Sequence, residues 1–212
     1  MSEIEAIYRA VVEGNVTGTK SGVGAALAAG ISAERVLKEG LIGAMGEVGR
    51  LFEANEFFVP EMLVSARAMQ AALTLLKPYL AEAGASSAGR VAIGTVKGDL
   101  HDIGKNLVAM MLEGAGFEVI DLGTDVSPER FVAAVQQHHP QIIGMSALLT
   151  TTMPAMAATT AALREAGVRE GVKVMVGGAP VTEEYARTIG ADGFARDAAS
   201  AVRLARSLAE TH

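Results

Sequence analysis

The stretch Gly98-Asp99-Leu100-His101-Asp102-Ile103-Gly104-Lys105-Asn106, GDLHDIGKN, decides how this chain is read. Before it runs the apolar segment Val91-Ala92-Ile93-Gly94-Thr95-Val96, and after it comes Leu107-Val108-Ala109-Met110-Met111-Leu112, apolar enough for a half-buried helix. A strand, a polar loop and a helix in that order present functional groups at a strand end of an open α/β sheet. Within the loop, Asp99, His101 and Asp102 lie between Gly98 and Gly104. A carboxylate two residues from an imidazole is the arrangement that orients a metal-ligating histidine. A solitary loop histidine is usually just a solvated side chain. What sets this one apart is the whole Asp-x-His-x-x-Gly pattern on a strand-to-helix turn.

Outward from the loop, short β-rich runs alternate with helical ones. Strands are predicted at 91–96, 118–122, 141–147, 173–176 and 192–195, with helices at 104–114, 127–138, 153–166, 182–189 and 198–208. Five strands alternating with five helices imply an α/β domain at 90–212, a parallel sheet with right-handed crossovers covered on both faces. Upstream, Ala83 to Gly89 (AGASSAG) is a run of small residues that reads as a linker, its core at 85–89.

Residues 1–84 read as a helical bundle. Ser2 and Glu5 have capping-box spacing ahead of Ile4, Ile7, Tyr8 and Val11. Gly14 and Asn15 break that helix, and a second runs over 16–29 to a stop at Gly30. Ser32 restarts the chain into a long stripe from Val36 to Phe52, which Asn55 and Glu56 interrupt. Pro60 then fits the first turn of a last helix through Tyr79.

Composition bounds the function. The 212 residues suffice for one large domain or two small ones, half of them are apolar and 4% aromatic, and the net charge is -6. Such acidity argues against a nucleic-acid footprint. With no cysteine, disulfides, thiol catalysis and thiolate metal sites are excluded. No apolar stretch reaches membrane-spanning length and the N-terminus is acidic rather than signal-like, so a cytoplasmic location is expected.

The Asp-x-His-x-x-Gly loop in this context resembles the cobalamin-binding corrinoid proteins of methyltransferase systems, and the cobalamin module of cobalamin-dependent methionine synthase. The resemblance covers nearly the whole chain. It implies a flavodoxin-like doubly wound sheet of order 2-1-3-4-5 behind an N-terminal helical cap, with cobalamin as cofactor. It also implies that His101 ligates cobalt from below while the cofactor's benzimidazole tail is displaced into the domain. Asp99 would be the hydrogen-bond partner of His101, and Thr152 the hydroxyl completing a relay beneath the metal; methionine synthase has serine at that last position. Ser146 would bond the displaced benzimidazole. Gly98, Asp102, Ile103, Gly104, Leu148 and Thr150 would also contact the cofactor. Gly177 and Gly178 would line the slot for the tail, as would Phe194, and Gly94 and Thr95 would widen it. In the helical cap, Phe57, Phe58 and Met62 are the candidates for shielding the upper metal face.

The same residues have plainer readings. Thr150 to Thr152 can cap the helix that begins near Met153 and Pro154. Phe57, Phe58 and Met62 can be the apolar start of a bundle helix, and Phe194 can be core. His138 and His139 look like a helix end, the methionines like core filler, and Asp121 and Asp125 like turn residues.

The resemblance implies a methyl carrier that works with a substrate-specific methyltransferase and with a second one serving tetrahydrofolate or a thiol coenzyme, and that needs a reductive activator. Neither nucleic acid nor membrane is an expected partner. The chain carries no nucleophile triad, P-loop or dinucleotide fingerprint with which to act on a substrate alone. Two alternatives stay open. A cobalamin-dependent sensor would need a DNA-reading module, or a tryptophan if light-sensing, and the chain has no Trp. A receiver domain phosphorylated on Asp99 or Asp102 would leave His101 and the hydroxyl-rich loop without a role.

Overall fold

The computed structural model describes residues 2–82 and 87–210. The chain divides into two compact units, Met1–Ser86 with Gly114–Gly116 and Ser87–Glu113 with Phe117–His212. Residues 85 and 86 of the expected linker lie outside the described residues.

In the helical unit, α1 (Glu3–Val12) opens at Ser2, whose hydroxyl accepts the Glu5 N–H at 3.2 Å. Gly14 turns the chain at φ +68°, and Asn15 caps α2 (Val16–Ala28) by accepting the Gly18 N–H at 2.8 Å. Ser32 caps α3 (Ala33–Arg35), which passes through a π-helical segment, Val36–Ile42, into α4 (Gly43–Glu53). The apolar stripe is therefore one helical path containing a widened stretch, a feature that apolar spacing does not announce. In α5 (Val59–Glu82), Pro60 sits in the first turn as expected, and the helix runs past Tyr79 with Pro78 inside it. Met62, Met69 and Leu76, seven residues apart, are fully buried along one stripe of α5.

The α/β unit follows the predicted alternation: β1 (Arg90–Thr95), α6 (Ile103–Gly114), β2 (Glu118–Asp121), α7 (Pro128–His138), β3 (Ile142–Ser146), α8 (Pro154–Glu165), β4 (Lys173–Gly177), α9 (Glu183–Ile189), β5 (Gly193–Ala195) and α10 (Ala198–Glu210). All pairings are parallel and the order is β2-β1-β3-β4-β5, the flavodoxin-like order. The central strands are buried on both faces, as their near-continuous apolar runs require. Ser127 and Thr182 cap α7 and α9, and His139, in the left-handed region at φ +47°, closes α7. The histidine pair is a helix end.

The two faces of the sheet differ. Ala92, Ile143, Met145, Val174 and Val176 pack with Phe131, Met156, Leu163 and Ile189 of α7, α8 and α9 into a continuous core. Side chains alternate along each strand, so Ile93, Gly144, Ser146, Met175, Gly177 and Ala195 belong to the opposite face, which α6 and α10 border. Register aligns Thr95 with Ser146 and Ser146 with Gly177, so three strands finish level with one another. That level edge carries the site.

Candidate functional site: a histidine loop above a cavity

The chain leaves β1 at Thr95, and Val96 forms a parallel bridge to Val126. Gly98, at φ +84°, then turns it so that the Asp99 N–H donates to the Val96 carbonyl at 3.1 Å. Left-handed geometry is the reason for a glycine here. The loop is pegged from the side: the Gly98 N–H donates to the Asp125 carboxylate at 2.7 Å, and the Asp125 N–H donates to the Asp99 carbonyl at 3.0 Å. The Thr95 hydroxyl donates to the His101 carbonyl at 2.8 Å.

Asp99 is the hub. It is 3% exposed, and its two oxygens accept four donors. One oxygen takes the His101 Nδ1–H at 2.6 Å and the His101 backbone N–H at 3.2 Å; the other takes the Leu148 N–H at 2.8 Å and the Thr152 hydroxyl at 2.7 Å. Burial alone would raise the carboxyl pKa, but the bonds from His101, Leu148 and Thr152 outweigh it and hold the group well below the ordinary carboxylate range. An anionic Asp99 fixes the tautomer of His101: the proton sits on Nδ1 and the lone pair on Nε2. Nε2 lies 2.9 Å from the Ser146 Oγ, so the serine is the donor.

Thr152 also lies 2.9 Å from the Leu149 carbonyl. Its single proton goes to the ionised oxygen, the stronger acceptor. The helix-cap reading does not hold for Thr152. The capping position of α8 is Met153, which makes no side-chain cap bond, and the Thr152 hydroxyl is committed to Asp99. Nor is Asp99 placed as a phospho-acceptor, since it is buried with both oxygens occupied.

Beneath this loop, between the sheet and helices α6 and α10, lies a partly open cavity of about 120 Å³. Its floor and sides include Ile93, Gly144 and Met175 from the strands, Val108 from α6 and Ala201 from α10; Ser146 stands at one end, and Gly177 and Gly178 at the edge. A Cβ on Gly177 would sit 2.7 Å from the Ala195 carbonyl oxygen. One on Gly178, at φ +124°, would sit 1.9 Å from that of Ala147. These glycines keep the strand ends close, which forms the cavity edge.

Of the other predicted residues, Asp102 and Thr150 are exposed, and Gly104, also exposed, lines the cavity. Leu100, Ile103, Leu148 and Leu149 are between 47% and 78% exposed, which leaves an apolar surface around His101 at the strand ends. Three expectations are corrected. Phe194 packs with the core on the far face of the sheet, because the alternation that aims Ala195 at the cavity aims Phe194 away. Gly94 shares that far face: a Cβ there would meet Phe131, Val126 and Leu122, so its smallness serves the core and does not widen the slot. Met62 is fully buried and has no free surface with which to cap a cofactor; Phe58 is 60% exposed and Phe57 half-buried.

Two residues read as turn chemistry or left unread have definite work. Asp125 pegs the histidine loop. Lys105 is 2% exposed and lines the cavity, its Nζ donating to both Asp121 oxygens at 2.6 and 2.7 Å and to Asn106 at 2.6 Å. It ties α6 to β2, and Asp121 is its counter-ion; no spacing signal links positions 105 and 121. Among the described residues no group of three acidic or histidine side chains could hold a metal. What the site offers a metal is a single imidazole nitrogen. That donor set fits a metal whose other ligands come from a macrocycle.

A family described as "B12 binding domain" matches residues 89–203, and a second family of the same description matches residues 3–77. A dimethylamine corrinoid protein from Methanosarcina acetivorans is 46% identical over 82% of this chain and 82% of its own. Among solved structures, a cobalamin-binding protein from Desulfitobacterium hafniense superposes with a TM-score of 0.81 and 33% identity, covering 97% of this chain and 98% of that one. The methanol:cobalamin methyltransferase complex MtaBC from Methanosarcina barkeri gives a TM-score of 0.87 at 32% identity, covering 99% and 80%.

Proposed function

The chain belongs to the B12-binding corrinoid proteins, and from that premise we propose that it carries a methyl group between two methyltransferases on cobalamin held base-off, with His101 as the lower ligand. The observation that carries the reading is the Asp99–His101 pair at the end of β1, standing over a cavity that reaches down between α6 and α10. Cobalamin, when bound, supplies the cobalt that takes up and gives away the methyl group. The protein's own groups do the rest. Asp99 keeps the proton on Nδ1, which leaves the Nε2 lone pair for the metal and strengthens its donation. Thr152 and the Leu148 N–H keep Asp99 ionised and in place. The cavity would receive the nucleotide tail, and the exposed leucines and Ile103 would give the macrocycle an apolar surface that excludes water.

The partners that follow are a substrate-specific methyltransferase, a second one passing the group to tetrahydrofolate or a thiol coenzyme, and a reductive activator. Relatives named for dimethylamine and methanol systems suggest methylamines or methanol as the donor class. No helix among the described residues is long and apolar enough to cross a membrane; partners met in the cytoplasm are part of the proposal. The test is reconstitution with cobalamin followed by visible and EPR spectroscopy. The parent chain should bind it with the benzimidazole displaced and one protein nitrogen on cobalt, and His101→Ala should keep the corrinoid but lose the nitrogen coupling. A parent chain that binds with the cofactor's own base still ligated would overturn the reading.

A further inference from the structure

Ser146 closes the very atom that ligation needs. The Ser146 Oγ lies 2.9 Å from Nε2 of His101, while Nδ1 is held by Asp99 at 2.6 Å, so both ring nitrogens are engaged. Nε2 has one lone pair, and it cannot accept the serine proton and bind a metal together. The serine has one proton, and it also stands at the end of the cavity between β1 and β4, in reach of whatever fills that space. The other cavity-facing strand positions, Ile93, Gly144, Met175, Gly177 and Ala195, carry no side-chain donor.

We propose that Ser146 is a latch on His101 that an occupant of the cavity opens, so that the site ligates complete corrinoids in preference to tail-less ones. A nucleotide tail that presents an aromatic nitrogen to Ser146 takes over the hydroxyl proton and releases Nε2. A corrinoid without a tail must break the Ser146–His101 bond with nothing to replace it. The selectivity arises from one hydroxyl shared between two mutually exclusive acceptors, in addition to any contact area the tail contributes. This inference rests on the carrier reading above and concerns how its histidine becomes available.

The test compares the parent chain with Ser146→Ala against two probes, cobalamin and its tail-less analogue cobinamide. Affinity is read by titration, and histidine ligation by the nitrogen splitting in the EPR spectrum of the cobalt(II) forms. A latch makes the substitution act unequally on the two probes. Loss of one hydrogen bond should make histidine-ligated binding of cobinamide roughly three- to tenfold tighter, while cobalamin, which loses the latch and the tail contact together, should change by less than about threefold. His101→Ala in the Ser146→Ala background should erase the gain. Circular dichroism of each variant establishes that the fold is kept. If cobinamide binding is unchanged or weakened by Ser146→Ala while the parent still takes cobalamin with His101 ligated, the latch is wrong and the carrier reading stands. If the parent takes up neither corrinoid, both fall.

Discussion

At the scale of single residues, the site is governed by how one carboxylate distributes its lone pairs. Asp99 holds its imidazole and, from the β3–α8 loop, a backbone amide and a hydroxyl, so two loops meet on two oxygen atoms. Its carboxyl pKa is lower in the folded chain than the ordinary 3.8. The stability it contributes is therefore complete above that ordinary value and is lost as pH falls through the lower folded one. Asp99→Asn turns an amide N–H₂ toward existing donors and should cost about 2–3 kcal/mol at pH 7. In urea melts the gap between variant and parent should hold between pH 5 and 8 and close as the pH drops below the ordinary carboxylate value. A gap that stays constant into strong acid would mean Asp99 is not an anion in the fold. Asp99, His101, Thr152 and Ser146 were legible because motif and resemblance name them together. Phe194 stayed open between the slot and the core because a strand of three residues, Gly193–Ala195, offers too short an alternation to set its inward face.

At the scale of elements, the cavity is a product of pairing register and of what α6 and α10 leave unfilled. The sequence predicts all five strands and five helices of the sheet domain to within a few residues, since each carries its own apolar period and most of the helices their own cap. It is silent on the cavity wall, because Val108, Gly144 and Ala201 are far apart in the chain and become neighbours only after the sheet forms. Val108→Phe fills space without breaking a hydrogen bond and should leave the melting temperature within a few degrees of the parent. It should weaken cobalamin binding at least about tenfold, the equivalent of about 1.4 kcal/mol, and spare cobinamide, which needs no cavity. Equal losses with both corrinoids in titration would show that α6 had moved. In the helical unit, repeated buried positions made α5 readable, whereas the π-helical segment Val36–Ile42 was not, because its apolar spacing mimics that of an ordinary helix.

At the scale of the molecule, every group in the relay and every cavity-lining residue lies at or beyond Ile93, inside the second compact unit. Capture of the cofactor should therefore be a property of that unit alone. A fragment of residues 87–212 should fold, turn coloured with cobalamin and show histidine nitrogen on cobalt by EPR; a fragment that folds by circular dichroism yet stays colourless would place part of the binding determinant in residues 1–86. The family matches divide the chain in a similar way, with residues 3–77 and 89–203 matched separately.

The reciprocal bonds between the Gly98–Asp99 turn and Asp125 act as a leash. With Asp99 pegged and Ile103 already the first residue of α6, only Leu100, His101 and Asp102 lie between the two anchors, and the Thr95 hydroxyl ties the His101 carbonyl as well. Three residues span at most roughly 10 Å, so a segment held at both ends keeps the imidazole close to the strand ends. With His101 as the ligand, a planar ring would have to settle onto the strand ends before the imidazole could reach its metal, and the loop's short reach would measure how deeply the guest has settled.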